Sequence, residues 1–225
     1  MNVFDEIDGF CKRADTSIKQ KTRKEKVQLY TAGLKAKVSQ SDFALYNLDL
    51  LSSKSDHVTT STDAAAPDIY SQVAFFCDSF CVFLYSGLDV LAQVVNQSLV
   101  LGMNENQVDF IKVKQHLCQK KSTHPVTRRF EEIGKSRAFK NLNRYRNCSA
   151  HRRQIYIKEK LELVRHTDGY VVSTKNDLMT VVRTICDDPY AINPAIKQGR
   201  LIPNYLRKLR SDITQQIART LKILP

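Results

Sequence analysis

A mostly α-helical bundle with one small β-hairpin late in the chain is the fold class this sequence predicts. Three patterns carry the expectation. Apolar residues recur at three- and four-residue spacing through most of the 225 residues, the stretch 69–99 is apolar on nearly every side, and apolar alternation is confined to 155–172. A chain of this length can bury one substantial core.

In order, Phe4, Ile7, Cys11 and Ala14 repeat at helical spacing, and Val27, Tyr30, Leu34 and Val38 repeat it, so residues 4–38 read as helix. The bases from Lys19 to Lys26 read as its solvated face. A short helix is expected over Asp42–Leu51, and Ser52–Ala66, with little to bury, as a loop or linker. Pro67 suits a first helical turn and Asp68 complements the dipole, which opens the longest element. Asp78, Asp89, Gln93 and Asn96 interrupt its apolar run and no basic flank anchors it, so a buried core helix is expected and a membrane partner is not. Together with Ser86 these residues draw one polar stripe, which must face water, a partner or a site. Gly87 predicts the close approach of another helix.

Asn104-Glu105-Asn106-Gln107 has the form of a capping box for a helix to about Lys121. His124-Pro125 starts a short helix (Val126, Phe130, Ile133) closed by Gly134, with His124 read as a plain loop residue. Ser136 can cap the next helix, whose Phe139, Leu142 and Tyr145 turn inward. Ile155 to Val172 suggests a hairpin turning at Asp168-Gly169. Thr174 and Asp177 can cap a helix with Leu178, Val181, Val182 and Ile185. After the turn-rich 187–203 a last amphipathic helix carries Leu206, Leu209, Ile213, Ile217 and Leu221. The organisation expected is N-terminal helices and a polar loop over 1–66, a helical core over 67–157, and a hairpin and C-terminal helices over 158–225 packing on that core, all within one domain in the simplest case.

The net charge of +12 is segregated. Lys112 to Arg165 holds 16 basic and four acidic residues, whereas Ser55 to Ile111 holds seven acids and no Lys or Arg. That is the electrostatic footprint of a protein that meets a polyanion, and a nucleic acid is the expected partner. The six cysteines show no Cys-x-x-Cys spacing, and Cys77 and Cys81 lack a matching second pair, so neither zinc nor any other metal is expected. No cofactor is expected: Gly-rich phosphate loop, Gly-x-Ser-x-Gly elbow and His-Glu-x-x-His pair are all missing from the sequence. Free thiols and an acidic start (Asp5, Glu6, Asp8) in place of a secretory leader point to the cytoplasm.

Chemistry concentrates in Arg144-Tyr145-Arg146-Asn147-Cys148-Ser149-Ala150-His151-Arg152-Arg153. Arginine grips phosphate with two parallel hydrogen bonds and stays charged, and histidine takes and gives a proton near pH 7. RNA carries its own nucleophile, the 2′-OH beside each phosphodiester, so a protein that moves protons and stabilises the crowded phosphorus can cleave it without a metal. Asn143, Asn147 and His151 share one helix face, with Arg146 one position off it. Arg152, Arg153 and the bases from Lys112 to Lys140, Arg137 and Lys140 among them, would track the RNA backbone. The plainer alternative is a solvated basic helix face with an incidental histidine.

The long apolar helix bearing Ser86-Gly87-Leu88-Asp89-Val90-Leu91-Ala92, followed by a helix bearing Arg146-Asn147-x-x-x-His151, resembles the HEPN superfamily, the all-helical nucleotide- and RNA-binding domains of prokaryotic defence and toxin systems. The resemblance covers Pro67 to Ile157. It implies a HEPN-like helical bundle and a metal-independent endoribonuclease acting as a dimer, with 2′,3′-cyclic phosphate and 5′-OH product ends. The family's Arg and His fall on Arg146 and His151, its frequent Asn on Asn147, and its polar residue on the earlier helix on Asp89 or Ser86. Arg144 satisfies the longer Arg-to-His spacing, so which arginine serves stays open. An antitoxin or nucleotidyltransferase partner is also implied, although this chain has no nucleotidyltransferase motif of its own. The rival reading is a non-catalytic helical module that binds RNA, nucleotide or protein through the same basic surface. A homodimer is expected on proton count as well: each chain offers one histidine in the motif, cleavage is served best by two, and a two-fold axis supplies the second. The stripe from Asp78 to Asn96 would wall that site, its polar groups satisfied by the opposing copy.

Overall fold

A computed structural model of the protein describes residues 2–55, 66–151, 162–166, 169–173 and 202–225, with 52–55, 66–71, 73–74, 148–151, 162–166, 169–173 and 202–204 described through their backbone alone. The described chain is mostly helical: α1 (Val3–Ser17), α2 (Lys21–Ser55), α3 (Ala66–Ser98), a single 3-10 turn (Glu105–Gln107), α4 (Phe110–Lys120), α5 (Pro125–Lys135), α6 (Arg137–His151) and α7 (Ile202–Lys222). Two short strands, β1 (Glu162–His166) and β2 (Gly169–Ser173), pair antiparallel with Val164 opposite Val171. The expected helix over 178–185 and the turns over 187–201 lie outside the described residues.

Helices α2 and α3 form the spine, antiparallel and in close contact. Gly33 faces Val90, and Gly87 faces Lys37 and Leu34, across this contact; a Cβ at either glycine would meet the partner helix at ordinary van der Waals distance. Phe80, Leu84, Leu88, Leu91 and Val95 are fully buried on α3, as are Leu34 and Val38 on α2. Each is worth about 1.5–3 kcal/mol of apolar burial. Residues 75–98 are long and apolar enough to cross a membrane, but half of that span is buried within the protein, which makes α3 the core helix that its interrupted apolar run predicts.

The N-terminal helices differ from the expected pattern. Residues 4–38 are two helices, because Ile18 leaves α1 in extended conformation and is itself buried. No Gly or Pro marks the break; burying Ile18 and folding α1 back on α2 outweigh local propensity. Asp15 and Lys24 then pair near the turn, and Asp8 and Lys35 further along. Conversely, no break precedes Asp42. Ser41 returns its hydroxyl to the Val38 carbonyl at 2.7 Å, Asp42 meets Arg210 of α7, and the helix runs through to Ser55. Helix α7 closes the bundle, with Arg207 on Asp49 and Arg13 donating to the Leu221 carbonyl at 2.8 Å. One set of packed side chains runs from Val3 to Leu224.

The connection from α3 to α4 corrects two further expectations. Asn104 caps only the single 3-10 turn, accepting from the Asn106 N–H at 3.1 Å. Helix α4 starts at Phe110 and is capped by Asp109, which accepts from the Lys112 N–H at 2.7 Å. The polar stripe of α3 faces this connection. Gln93 donates to the Glu105 carbonyl at 2.7 Å, Asn96 donates to the Met103 carbonyl at 3.0 Å and accepts from the Met103 N–H at 3.3 Å, and Asp89 accepts from the Phe110 N–H at 3.0 Å. Three of the stripe's residues thus bond within the chain, where an opposing copy was expected to satisfy them; the Gln93 side-chain oxygen is buried with no partner among the described residues. Glu105 adds a clasp, accepting from Tyr30 at 2.8 Å and Gln97 at 3.1 Å and pairing with Lys26. His124 is more than a loop residue: its Nδ1 accepts from the Val126 N–H at 3.2 Å and caps α5. Ser136 caps α6 as its position predicts, accepting from the Phe139 N–H at 3.1 Å.

Candidate functional site

Helix α6 lies between α3 and α7. Its apolar side (Phe139, Leu142, Tyr145) is buried, which holds the next residue, Arg146, against α3. The Arg146 guanidinium lies over the ring of Tyr85, 5.1 Å from its centroid. One of its N–H groups donates to the Asn147 side-chain oxygen at 3.1 Å. Among the described residues no other hydrogen bond engages this five-donor group.

Three carboxyl and aromatic groups set the field around Arg146. Asp89 is half-buried one turn beyond Tyr85, and its carboxyl is pushed above the usual carboxylate range. Burial is the main cause and Asp109 adds to it, against the Phe110 N–H bond and the charges of Arg146 and Lys112. Burial also raises the Tyr85 phenol, helped by Asp89 and opposed by Arg146. Asp109 is tied to Lys112 at 3.1 Å. A permanent cation thus sits beside a carboxyl whose ionisation burial disfavours and whose charged form Arg146 itself supports.

Of the residues singled out from sequence, Arg146, Asn147 and Asp89 come together here. Ser86 is half-buried on α3, three residues before Asp89. Arg144 is half-buried and lies about 200° around α6 from Arg146, so the two arginines serve different faces. His151 is the last residue of α6, one helical turn beyond Asn147. Its side chain, with Arg152 and Arg153, lies outside the description. Arg137 and Lys140 are exposed at the start of α6.

The basic block is less open than its charge suggests. Arg128 and Arg129 pair with Glu132, Lys135 with Glu131, and Lys112 with Asp109. The Lys114 side chain lies across Gly134. Exposed and without an ion pair among the described residues are Lys120, Lys121, Arg137 and Lys140. No group of His, Cys, Asp and Glu among the described residues could hold a metal ion. Sequence reasoning missed Tyr85 and Asp109. Tyr85 was detectable, since it stands four residues before Asp89 and therefore on the same side of α3.

A family model described as Cthe2314-like HEPN matches residues 30–187. No curated protein and no solved structure matches the chain. The family match reaches back into α2 and forward past β2, well beyond the Pro67–Ile157 stretch on which the resemblance rests. It takes in the α2–α3 spine, the Tyr85–Asp89 face, Arg146 and His151 together. With a match over more than half of its length, the chain belongs to the Cthe2314-like HEPN family.

Proposed function

We propose that the protein is a metal-independent endoribonuclease of HEPN type. The observation that carries the reading is Arg146: in a HEPN chain it is held by Asn147 and Tyr85, with no other hydrogen bond among the described residues, five residues before His151. In this reading Arg146 clamps the phosphate and the phosphorane charge, Asn147 orients Arg146, and His151 moves protons. One His151 takes the 2′-OH proton as O2′ bonds to phosphorus. The P–O5′ bond breaks, and a second, protonated His151 gives its proton to the departing O5′, leaving a 2′,3′-cyclic phosphate and a 5′-OH. The second histidine comes from a two-fold partner copy. Arg137, Lys140, Arg152 and Arg153 follow the RNA backbone, and an antitoxin or nucleotidyltransferase partner fits the same family reading.

The test is incubation of purified protein with RNA in EDTA, followed by analysis of product ends. Cyclic phosphate and 5′-OH ends are expected. A strict Mg²⁺ requirement or 5′-phosphate ends would overturn the mechanism, and RNA binding without cleavage would favour the non-catalytic module.

A further inference from the structure

Tyr85 has no place in the Arg-to-His spacing, yet it sits where the arginine's geometry is decided. Its own position is fixed from the core outward by a continuous run of aromatic contacts. Phe130 stacks on Phe110 with centroids 4.9 Å apart, Phe110 meets Phe139 at 4.8 Å, and Phe139 stacks on Tyr85 at 6.0 Å and 27°. Phe110 and Phe130 are fully buried, and Phe139 and Tyr85 nearly so. The outer end of this run is the face of Tyr85, and on that face lies the Arg146 guanidinium. These rings come from α3, α4, α5 and α6, so the platform is held by four helices at once.

An arginine side chain has several rotatable bonds and, unrestrained, loses much of its freedom on gripping a phosphate. Here the guanidinium carbon lies over the Tyr85 ring, 5.1 Å from its centroid, and one N–H is tied to Asn147; together the two contacts restrict where the group can lie, while no other hydrogen bond engages it among the described residues. Asn147 alone would leave the group free to pivot about one bond. We infer that Tyr85 is a positioning residue for the phosphate-gripping arginine, acting through the electron-rich face of its ring. This rests on the assignment of Arg146 as the phosphate clamp.

Leucine at position 85 would test it poorly, since a cavity beside Phe139 would itself loosen the site. The test is a near-isosteric series: phenylalanine at position 85, then its mono-, tri- and pentafluorinated analogues, which keep the shape and drain the ring's negative face. Affinity for a 2′-O-methylated RNA, which binds but cannot be cleaved by 2′-oxygen attack, is read by fluorescence anisotropy, and thermal melts are run alongside. Tyr85→Phe sets the reference affinity for the series. Fluorination should then weaken binding stepwise, by about tenfold across the series, with melting unchanged. In an Arg146→Ala background the trend should vanish. Equal affinity across the series, or the same trend without Arg146, overturns the positioning role while leaving the nuclease reading intact. A parent protein that binds no RNA overturns both.

Discussion

Two regions of α3 carry polar side chains out of an apolar helix, and they treat them in opposite ways. At the C-terminal end Gln93, Asn96 and Gln97 are consumed by the chain's own connection to α4, each hydrogen-bonded to Met103 or Glu105. Midway along, Asp89 gives one oxygen to the Phe110 N–H, while Arg146, across from it, spends one N–H on Asn147 and makes no other hydrogen bond among the described residues. The first region spends most of its polar groups inside the chain, the Gln93 side-chain oxygen excepted among the described residues, and those groups hold the fold. The second retains unspent charge at a partly exposed position. Polar residues on a buried helix are therefore not one signal; what separates structural from functional use is whether their partners are already inside the chain.

Substitutions should part the two regions cleanly. The largest effect is expected from His151→Ala: cleavage in EDTA should fall by a factor on the order of 10²–10⁴ with the melting temperature unchanged, as for loss of a proton-transferring group. A variant that melts early, or cleaves normally, would show that His151 belongs to the structural class. RNA affinity should also fall steeply between about 50 and 200 mM salt, because the exposed Lys120, Lys121, Arg137 and Lys140 would release counterions on binding. A flat response would remove α4 and α6 from the binding surface.

Asn96→Ala should do the reverse of His151→Ala. It leaves both Met103 backbone groups without their partner and should cost about 1–3 kcal/mol in chemical denaturation, with cleavage unaltered well below the melting temperature. The same connection offers a smaller gain. Val100 closes α3 with φ at 50°, a position where glycine normally stands, and Leu101 donates to the Asn96 carbonyl at 3.0 Å as a helix-ending bond. Val100 is exposed and buries little, so Val100→Gly should relieve strain and stabilise by about 0.5–1 kcal/mol. A loss of stability would mean that the valine methyls contribute more than the backbone costs.

The smallest effect tests the second region through pH. The Asp89 carboxyl is raised in the folded protein, chiefly by burial. Its ionisation therefore costs stability: the cost is absent below the unfolded pKa, grows as pH rises through the folded value, and is complete above it. Asp89→Asn keeps an oxygen for the Phe110 N–H and removes that cost. Melts from about pH 3 to pH 7 should show the Asn variant gaining on the parent as pH rises. The opposite slope would mean that attraction to Arg146 outweighs burial.

Much of this was legible beforehand. The apolar run of α3, the packing of another helix at Gly87, the Ser136 cap and the nearness of Arg146 to Asn147 all follow from local chemistry and helical spacing. Three things did not. A hydrogen-bonding side chain does not announce whether its partner lies six residues away or in another molecule, so the stripe was assigned to a dimer wall. Asn104 and Asp109 are both competent caps, and tertiary demand for Asp89 at the Phe110 N–H coincides with the later one. The spacing of Tyr85 places it on the Asp89 side of α3, but spacing alone does not distinguish a core tyrosine from one that carries a cation.

The most direct test of the contrast is to measure cleavage and melting together for Arg146→Ala and Gln93→Ala in one assay. Arg146→Ala should abolish cleavage and leave melting where it was, and Gln93→Ala should lower melting while sparing cleavage. If Arg146→Ala still cleaves RNA, or if it unfolds as Gln93→Ala does, then Arg146 is a structural residue and the division drawn along α3 is wrong.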